Sequence, residues 1–233
     1  MSYLFEPPAQ RSLAIVGSEQ RFPVNRIFCV GRNYAAHARE MGADPERDPP
    51  FFFMKPPQAL VEVDGKAPST IPYPPRTTSF HHEIELVVAI HRGGHGFDVA
   101  SALDHVYGYA VGLDMTRRDL QTEAKKAGRP WELGKSFAYS APIGPIHRAT
   151  DVGHIASGAI DLTVNGALKQ HSTIDQRIWS VAECLAQLAS YETLEPGDLL
   201  MTGTPEGVGA VERGDVMRGA IAKLGEITVD VAR

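Results

Sequence analysis

HHEIELVVAI, residues 81–90, is the stretch on which the fold turns. Residues 83–90 read as a strand: aliphatic and β-branched side chains crowd its second half, and no glycine or proline interrupts it. A strand turns successive side chains to opposite faces, so Glu83 and Glu85 share one face. Two carboxylates side by side repel, and a cation between them relieves the repulsion. Alone, Glu-x-Glu is also the ordinary pattern of a solvated sheet face. Residues 106–113 (VYGYAVGL) read as a second strand, closed by Asp114 where a side chain can project from a sheet end. Glu83, Glu85 and Asp114 together form an oxygen-only set. That set favours a hard divalent ion, Mg2+ first, with Mn2+ or Ca2+ as alternatives.

Outward from these strands the elements are shorter. Residues 26–30 (RIFCV) form an apolar run stopped by Gly31, which suits a buried strand. Residues 33–41 then read as a helix of about two turns, with Asn33 as its N-cap and Gly42 as its C-cap. So short a helix depends on its contacts and suits a lid. His37 and Glu40 are three apart on it and therefore neighbours on its surface. A carboxylate beside an imidazole orients the ring and raises its basicity, giving a base of moderate strength for activating water. The same spacing also arises as an incidental pair on an exposed helix.

Residues 43–82 are punctuated by proline. Residues 98–105 read as a short helix capped by Asp98, 116–127 as a helix, and 174–191 as the clearest helix. In the last, Ile178, Val181, Leu185 and Leu188 follow a helical period. Residues 160–169 form a hairpin whose Asn165-Gly166 pair calls for a type I′ turn. Residues 199–201 and 225–231 are strands. Between them TGTPEGVG, 202–209, holds three glycines that can aim successive N–H groups at an anion, with hydroxyls from Thr202 and Thr204. It lacks the Gly-Lys-Ser/Thr ending of a P-loop. Alternation puts His81 and His82 on opposite faces, with a structural role for at least one. Strands dominate, so the class is α+β, mainly β, with a few short helices.

The 233 residues are 43% hydrophobic and 22% charged, an ordinary globular balance. A formal net charge of -5 without a basic block argues against nucleic-acid binding. The two cysteines, Cys29 and Cys184, stand in no Cys-x-x-Cys pair, so neither a disulfide framework nor a thiolate zinc site is expected. No apolar run approaches the ~20 residues that span a bilayer, and residues 1–10 lack the basic start of a signal peptide. A cytoplasmic enzyme is the default expectation.

In this order, CVGRNYAAHAREMG (29–42), FFFMKP (51–56), HHEIELVVAI (81–90), GYAVGLDMTRRDLQ (108–121), GKSFAYSAPIGP (134–145), DLTVNG (161–166) and LLMTGTPEGVG (199–209) resemble the fumarylacetoacetate hydrolase family. The segment around 25–42 is most similar to its bacterial fumarylpyruvate hydrolase and acylpyruvase branch. The resemblance runs from about residue 25 onward, and implies an N-terminal extension, 1–24, before one catalytic domain, 25–233. The implied fold is a mixed β-sheet roll, usually a homodimer.

Carried over residue by residue, the resemblance makes Glu83, Glu85 and Asp114 metal ligands and Lys135 a motif lysine beside the metal. It makes His37 and Glu40 the dyad of the short members, and places Gln121 and Thr204 against substrate. Arg32, Arg39, Arg117 and Arg118 are candidate cations for a distal substrate carboxylate, with Arg32 taken into the substrate-binding set. The longer relatives place their histidine and a further metal carboxylate elsewhere, which leaves a fourth protein ligand open here. The implied activity is Mg2+-dependent hydrolysis of a carbon–carbon bond in a small 2,4-diketo acid, fumarylpyruvate to fumarate and pyruvate, as in gentisate-type aromatic catabolism. The alternatives on the same metal site are oxaloacetate decarboxylation and isomerisation of a 2-hydroxy-dienedioate.

Overall fold

The computed structural model describes residues 2–40, 49–65 and 67–233. At its centre Ile84–Ile90 is buried along its whole length, which is why this stretch reads as a near-continuous apolar run. It pairs antiparallel with Val106–Leu113 on one side and Leu199–Met201 on the other. The sheet extends through Ile27–Gly31 to Phe51–Lys55 at one edge, and through Ala141–Ile143 to Leu60–Glu62 at the other. Two of its pairings are parallel, Leu199–Met201 with Ile27–Gly31 and Ala141–Ile143 with Leu60–Glu62, so the sheet is mixed.

A second sheet of five strands runs in the order Ala167–Thr173, Ala159–Val164, Val216–Ile221, Gly225–Val231, Ser69–Ile71. Its inward side chains Ile160, Leu162, Met217 and Ile227 share one apolar cluster with Ile84, Leu86, Val111 and Leu113 of the first sheet. The first sheet's other face carries Val87, Ala89 and Ala110. These pack with Leu13, Ile15, Phe22 and Val24 of the hairpin Ser12–Ala14/Arg21–Pro23. The fold is thus mainly β, curled around two apolar layers, with five short α-helices among the described residues. None of these is long and apolar enough to cross a membrane.

Several boundaries differ from those the sequence suggests, each because the backbone is committed elsewhere. Glu83 falls between Phe80–His82 and Ile84–Ile90 rather than inside one strand. Residues 116–117 are not helical: Thr116 pairs with His81 in a bridge, and the helix is Arg118–Lys126. The long helix expected over 174–191 is only Val181–Tyr191. Before it, the N–H groups of Ile178 and Trp179 donate to Asn33, each at 2.7 Å, so they cannot propagate a helix. Ser180 then starts the helix with a capping box to Glu183. The segment 98–105 forms only the 3-10 turn Ala102–His105, with Asp98 accepting from the Ser101 N–H at 2.9 Å. The hairpin turn is type I′, with φ of 51° at Asn165 and 79° at Gly166.

Candidate active site

The acidic cluster follows from the ladder between the two central strands. Opposite Glu85 stands Gly112, where a Cβ would stand 2.5 Å from the Val87 side chain. Beyond the strand ends, the Asp114 N–H donates to the Glu83 carbonyl at 2.8 Å, which brings Asp114 beside Glu83. The three carboxylates each offer an oxygen within 4.8 Å of the others, and are only 4%, 2% and 1% exposed for Glu83, Glu85 and Asp114.

Buried carboxylates at this spacing need compensation. Lys135 Nζ lies 2.7 Å from Glu83 and 2.6 Å from Asp114. Lys55, fully buried, reaches the other Asp114 oxygen at 2.8 Å, and Arg118 pairs with the other Glu83 oxygen. Burial pushes the Glu83 carboxyl up, but the Lys135 and Arg118 charges outweigh it and hold the group below the usual carboxylate range. Burial likewise works against the Lys135 ammonium, and the two carboxylates more than restore it. Glu85 has no ion-pair partner among the described residues. It accepts the Gly203 N–H at 2.7 Å, yet burial and the neighbouring charges of Asp114 and Glu83 push its pKa well up.

One uncompensated buried carboxylate beside two others, in a cluster whose donors are all carboxylate oxygens, is a donor set that fits a hard divalent cation. Glu83, Glu85 and Asp114 are the residues that would hold it.

The helix Ala35–Glu40 brings His37 to the same cleft. Its ring is buried and lies with Nδ1 3.3 Å from Glu40 Oε2. A carboxylate only accepts, so Nδ1 carries the proton and Nε2 keeps its lone pair. Burial lowers the His37 pKa, against the opposing pull of Glu83 and Glu40. Asn33 does not cap this helix. Its side-chain amide instead donates to the Trp179 and Thr202 carbonyls at 3.0 and 2.8 Å, bolting the helix entry to the loop after Leu199–Met201. Gly203 has to be glycine there: its φ is +93°, and a Cβ would stand 2.7 Å from Asn33 Cβ. The C-cap expected at Gly42 lies outside the described residues. The glycine-rich loop does aim N–H groups at anions, but at the protein's own carboxylates: Gly203 at Glu85, and Gly207 at Glu40 at 3.2 Å.

These groups collect in one cleft. Its lining includes Arg32, His37, Gln121, Lys135, Thr204 and the three carboxylates; Glu40 acts on it through His37. Arg118 lines it as well, already held by Glu83 and by Gln121 at 2.5 Å. Arg117 turns away, stacked over Phe137 at 4.3 Å. The sequence reading passed over Lys55, Phe53 and Trp131. Lys55 had a signal, an ionisable residue ending the otherwise aromatic and aliphatic strand Phe51–Lys55. Phe53 and Trp131 wall the cleft mouth, 5.9 Å apart, and nothing in spacing marks them. His82 is buried against Gln170 at 2.9 Å, and His81 hydrogen bonds Ser79 at 2.9 Å, so neither joins the acidic cluster.

Residues 26–232 match the family described as Fumarylacetoacetate (FAA) hydrolase C-terminal. The chain is similar to a fumarylpyruvate hydrolase of Ralstonia sp, 47% identical over 78% of this chain and 92% of that protein. It is also similar to a mitochondrial oxaloacetate tautomerase of Rattus norvegicus, 40% identical over 84% and 86%. The crystal structure of fumarylpyruvate hydrolase from Pseudomonas aeruginosa, in complex with Mn2+ and pyruvate, superposes with a TM-score of 0.98. It is 58% identical and covers 99% of both chains.

Proposed function

The chain belongs to the fumarylacetoacetate hydrolase family, and on that premise we propose that it hydrolyses the C3–C4 bond of fumarylpyruvate, giving fumarate and pyruvate. The observation that carries this is the position of His37, oriented by Glu40, in the same cleft as Glu83, Glu85 and Asp114. Chelating a keto acid needs only the carboxylate set and its ion, whereas attack by water also needs a positioned base.

Glu83, Glu85 and Asp114 would hold the ion, Mg2+ in this reading, with Mn2+ or Ca2+ as alternatives. When bound, it supplies a Lewis acid for the keto-acid end of the substrate. Lys135, through its charge, keeps Glu83 ionised for that task. His37, neutral because it is buried, takes a proton from water on Nε2 while Glu40 fixes the ring. The oxygen of that water bonds to C4, and the electrons of the C3–C4 bond leave with the pyruvate half as its enolate. C3 is then protonated. Hydrogen-bond donors on the cleft wall, Thr204 and Gln121, face the charge that develops at the C4 oxygen. Arg32 at the mouth is the cation for the distal carboxylate. The protein acts as a homodimer in the cytoplasm in this reading, and serves the breakdown of aromatic compounds.

The relative from Rattus norvegicus favours one second reading, oxaloacetate tautomerisation on the same residues, with His37 moving a carbon-bound proton. The deciding assay offers fumarylpyruvate with Mg2+, with excess chelator as control. Equal, chelator-sensitive release of fumarate and pyruvate supports hydrolysis. Inert fumarylpyruvate with conversion of oxaloacetate would replace it by the second reading.

A further inference from the structure

We propose that Gln170 fixes the Thr204 hydroxyl as a hydrogen-bond donor into the cleft, and so sets the polarity of the wall against which the substrate's anionic oxygen lies. The proposal rests on the hydrolase reading for the identity of that oxygen, and on hydrogen-bond geometry alone for the direction of the proton.

Gln170 is the one buried residue of the strand Ala167–Thr173, and it is fully enclosed. The ladder explains how an otherwise exposed strand buries an amide. Thr163 pairs with Leu168 but Leu162 pairs with Gln170, so Lys169 is an extra residue. Such a bulge re-aims the side chain that follows it. The loop after Thr204 settles on this bulge. At Gly207, where φ is +85°, a Cβ would stand 2.1 Å from the Lys169 carbonyl oxygen, so no other residue permits the approach.

Two backbone groups fix which way the Gln170 amide faces. The Ile84 N–H, which can only donate, lies 3.1 Å from Oε1. The Pro205 carbonyl, which can only accept, lies 2.9 Å from Nε2. His82 Nδ1 meets the same Oε1 at 2.9 Å. An amide nitrogen has two protons. One goes to Pro205, and the other points at Thr204 Oγ1, 2.8 Å away. Thr204 therefore accepts from Gln170 and must donate its own proton elsewhere. Among the described residues no acceptor stands within hydrogen-bond distance of that proton, and the side chain lines the cleft.

The result is a donor whose direction is decided before any ligand enters. It suits a keto oxygen, a carboxylate or an oxyanion. Preset donors of this kind stabilise developing negative charge because they need no reorientation during the reaction. Gln170 touches no substrate; it is a positioning residue that ties this donor to Ile84, the residue between Glu83 and Glu85.

The test is a double-mutant cycle on the metal-loaded enzyme. Thr204→Val removes the donor. Gln170→Glu keeps shape but replaces the donating amide nitrogen by an accepting oxygen, which draws the Thr204 proton away from the cleft. Each should lower kcat by about 10²-fold, the cost of losing one such donor. The double variant should fall no further, and Thr204→Ser should restore activity. Multiplicative losses, or wild-type kcat in Gln170→Glu, would overturn the proposal. Neutron diffraction of the wild-type protein decides the same point without a variant, so a misfolded Gln170→Glu does not end the test. A Thr204 deuteron directed into the cleft supports the proposal, and one directed at Gln170 overturns it. Failure to hydrolyse fumarylpyruvate would remove the hydrolase reading while leaving the deuteron result to stand by itself.

Discussion

Lys135→Met removes the ammonium that stands between Glu83 and Asp114 and replaces it with an apolar side chain of nearly its length. Glu83 and Asp114 then face each other with oxygens within 4.8 Å. At that distance, and an effective dielectric of about 20, two unit charges repel by about 3.5 kcal/mol. Removing one partner of a buried ion pair costs about 3–5 kcal/mol, and here Arg118 and Lys55 still compensate the outer oxygens. A loss of about 3 kcal/mol is expected in the metal-free protein at neutral pH. For a chain of this size that corresponds to a fall in Tm of about 6–12 °C. A divalent cation supplies the missing charge, so saturating Mg2+ should return most of the lost Tm and shift the variant more than the wild type. The assay is thermal unfolding followed by circular dichroism, in chelator and across a Mg2+ titration. An unchanged Tm in chelator would refute the electrostatic account of Lys135. A loss that Mg2+ leaves in place would refute the idea that ammonium and metal serve the same carboxylates.

His37→Ala should lower kcat by about 10²–10⁴-fold and leave metal affinity by calorimetry unchanged; in the wild type, kcat should fall only below the ordinary imidazole pKa, because burial lowers that of His37. Glu85 has a raised folded pKa, so its contribution to metal-free stability is present below the unfolded value and is lost as pH rises through the folded one. A metal needs the carboxylate, so binding should release protons within that window and tighten as pH rises, measured by titration calorimetry in buffers of different ionisation enthalpy. Ser180→Ala breaks the capping box with Glu183 and should cost about 1 kcal/mol, or about 2–4 °C in Tm, read by thermal unfolding.

The acidic cluster was legible in the sequence because a strand's period of two is rigid. Glu83 and Glu85 converge even though Glu83 stands just outside the strand, and Asp114 follows a strand whose limits, Val106–Leu113, are plain from its apolar run. The His37–Glu40 pair was legible for the same reason at helical spacing. What spacing cannot show is which long-range partner claims a side chain. Asn33 had the look of a helix cap, yet the backbone of Trp179 and Thr202 takes its amide. The helix expected from residue 174 fails over residues 174–180 because Asn33 holds two of their N–H groups. Gln170 was invisible because it sits in an exposed strand and is turned inward by a one-residue bulge that no local pattern announces. Lys55 was visible as an anomaly, a charge at the end of an aromatic strand, and its meaning appears only once Asp114 is placed opposite it.

The charges in the cleft also bear on substrate class. Lys55, Lys135 and Arg118 offset the acidic cluster of Glu83, Glu85 and Asp114 in number, and Arg32 and Lys125 also line the cleft, so the protein groups alone leave it with no net negative charge. Binding a divalent ion makes it strongly positive in a setting with little water to screen the charge. A substrate with two carboxylates offsets more of that charge than one does, and the enolate that forms as the C3–C4 bond breaks places its negative charge beside groups already positive, while the proton of the attacking water sits on His37. A monoanionic acylpyruvate would leave positive charge uncompensated at the mouth, where Arg32 stands. The cleft's electrostatics therefore favour a dianionic diketo acid over a monoanionic one, and favour the transition state over either, because the last negative charge appears only during the reaction.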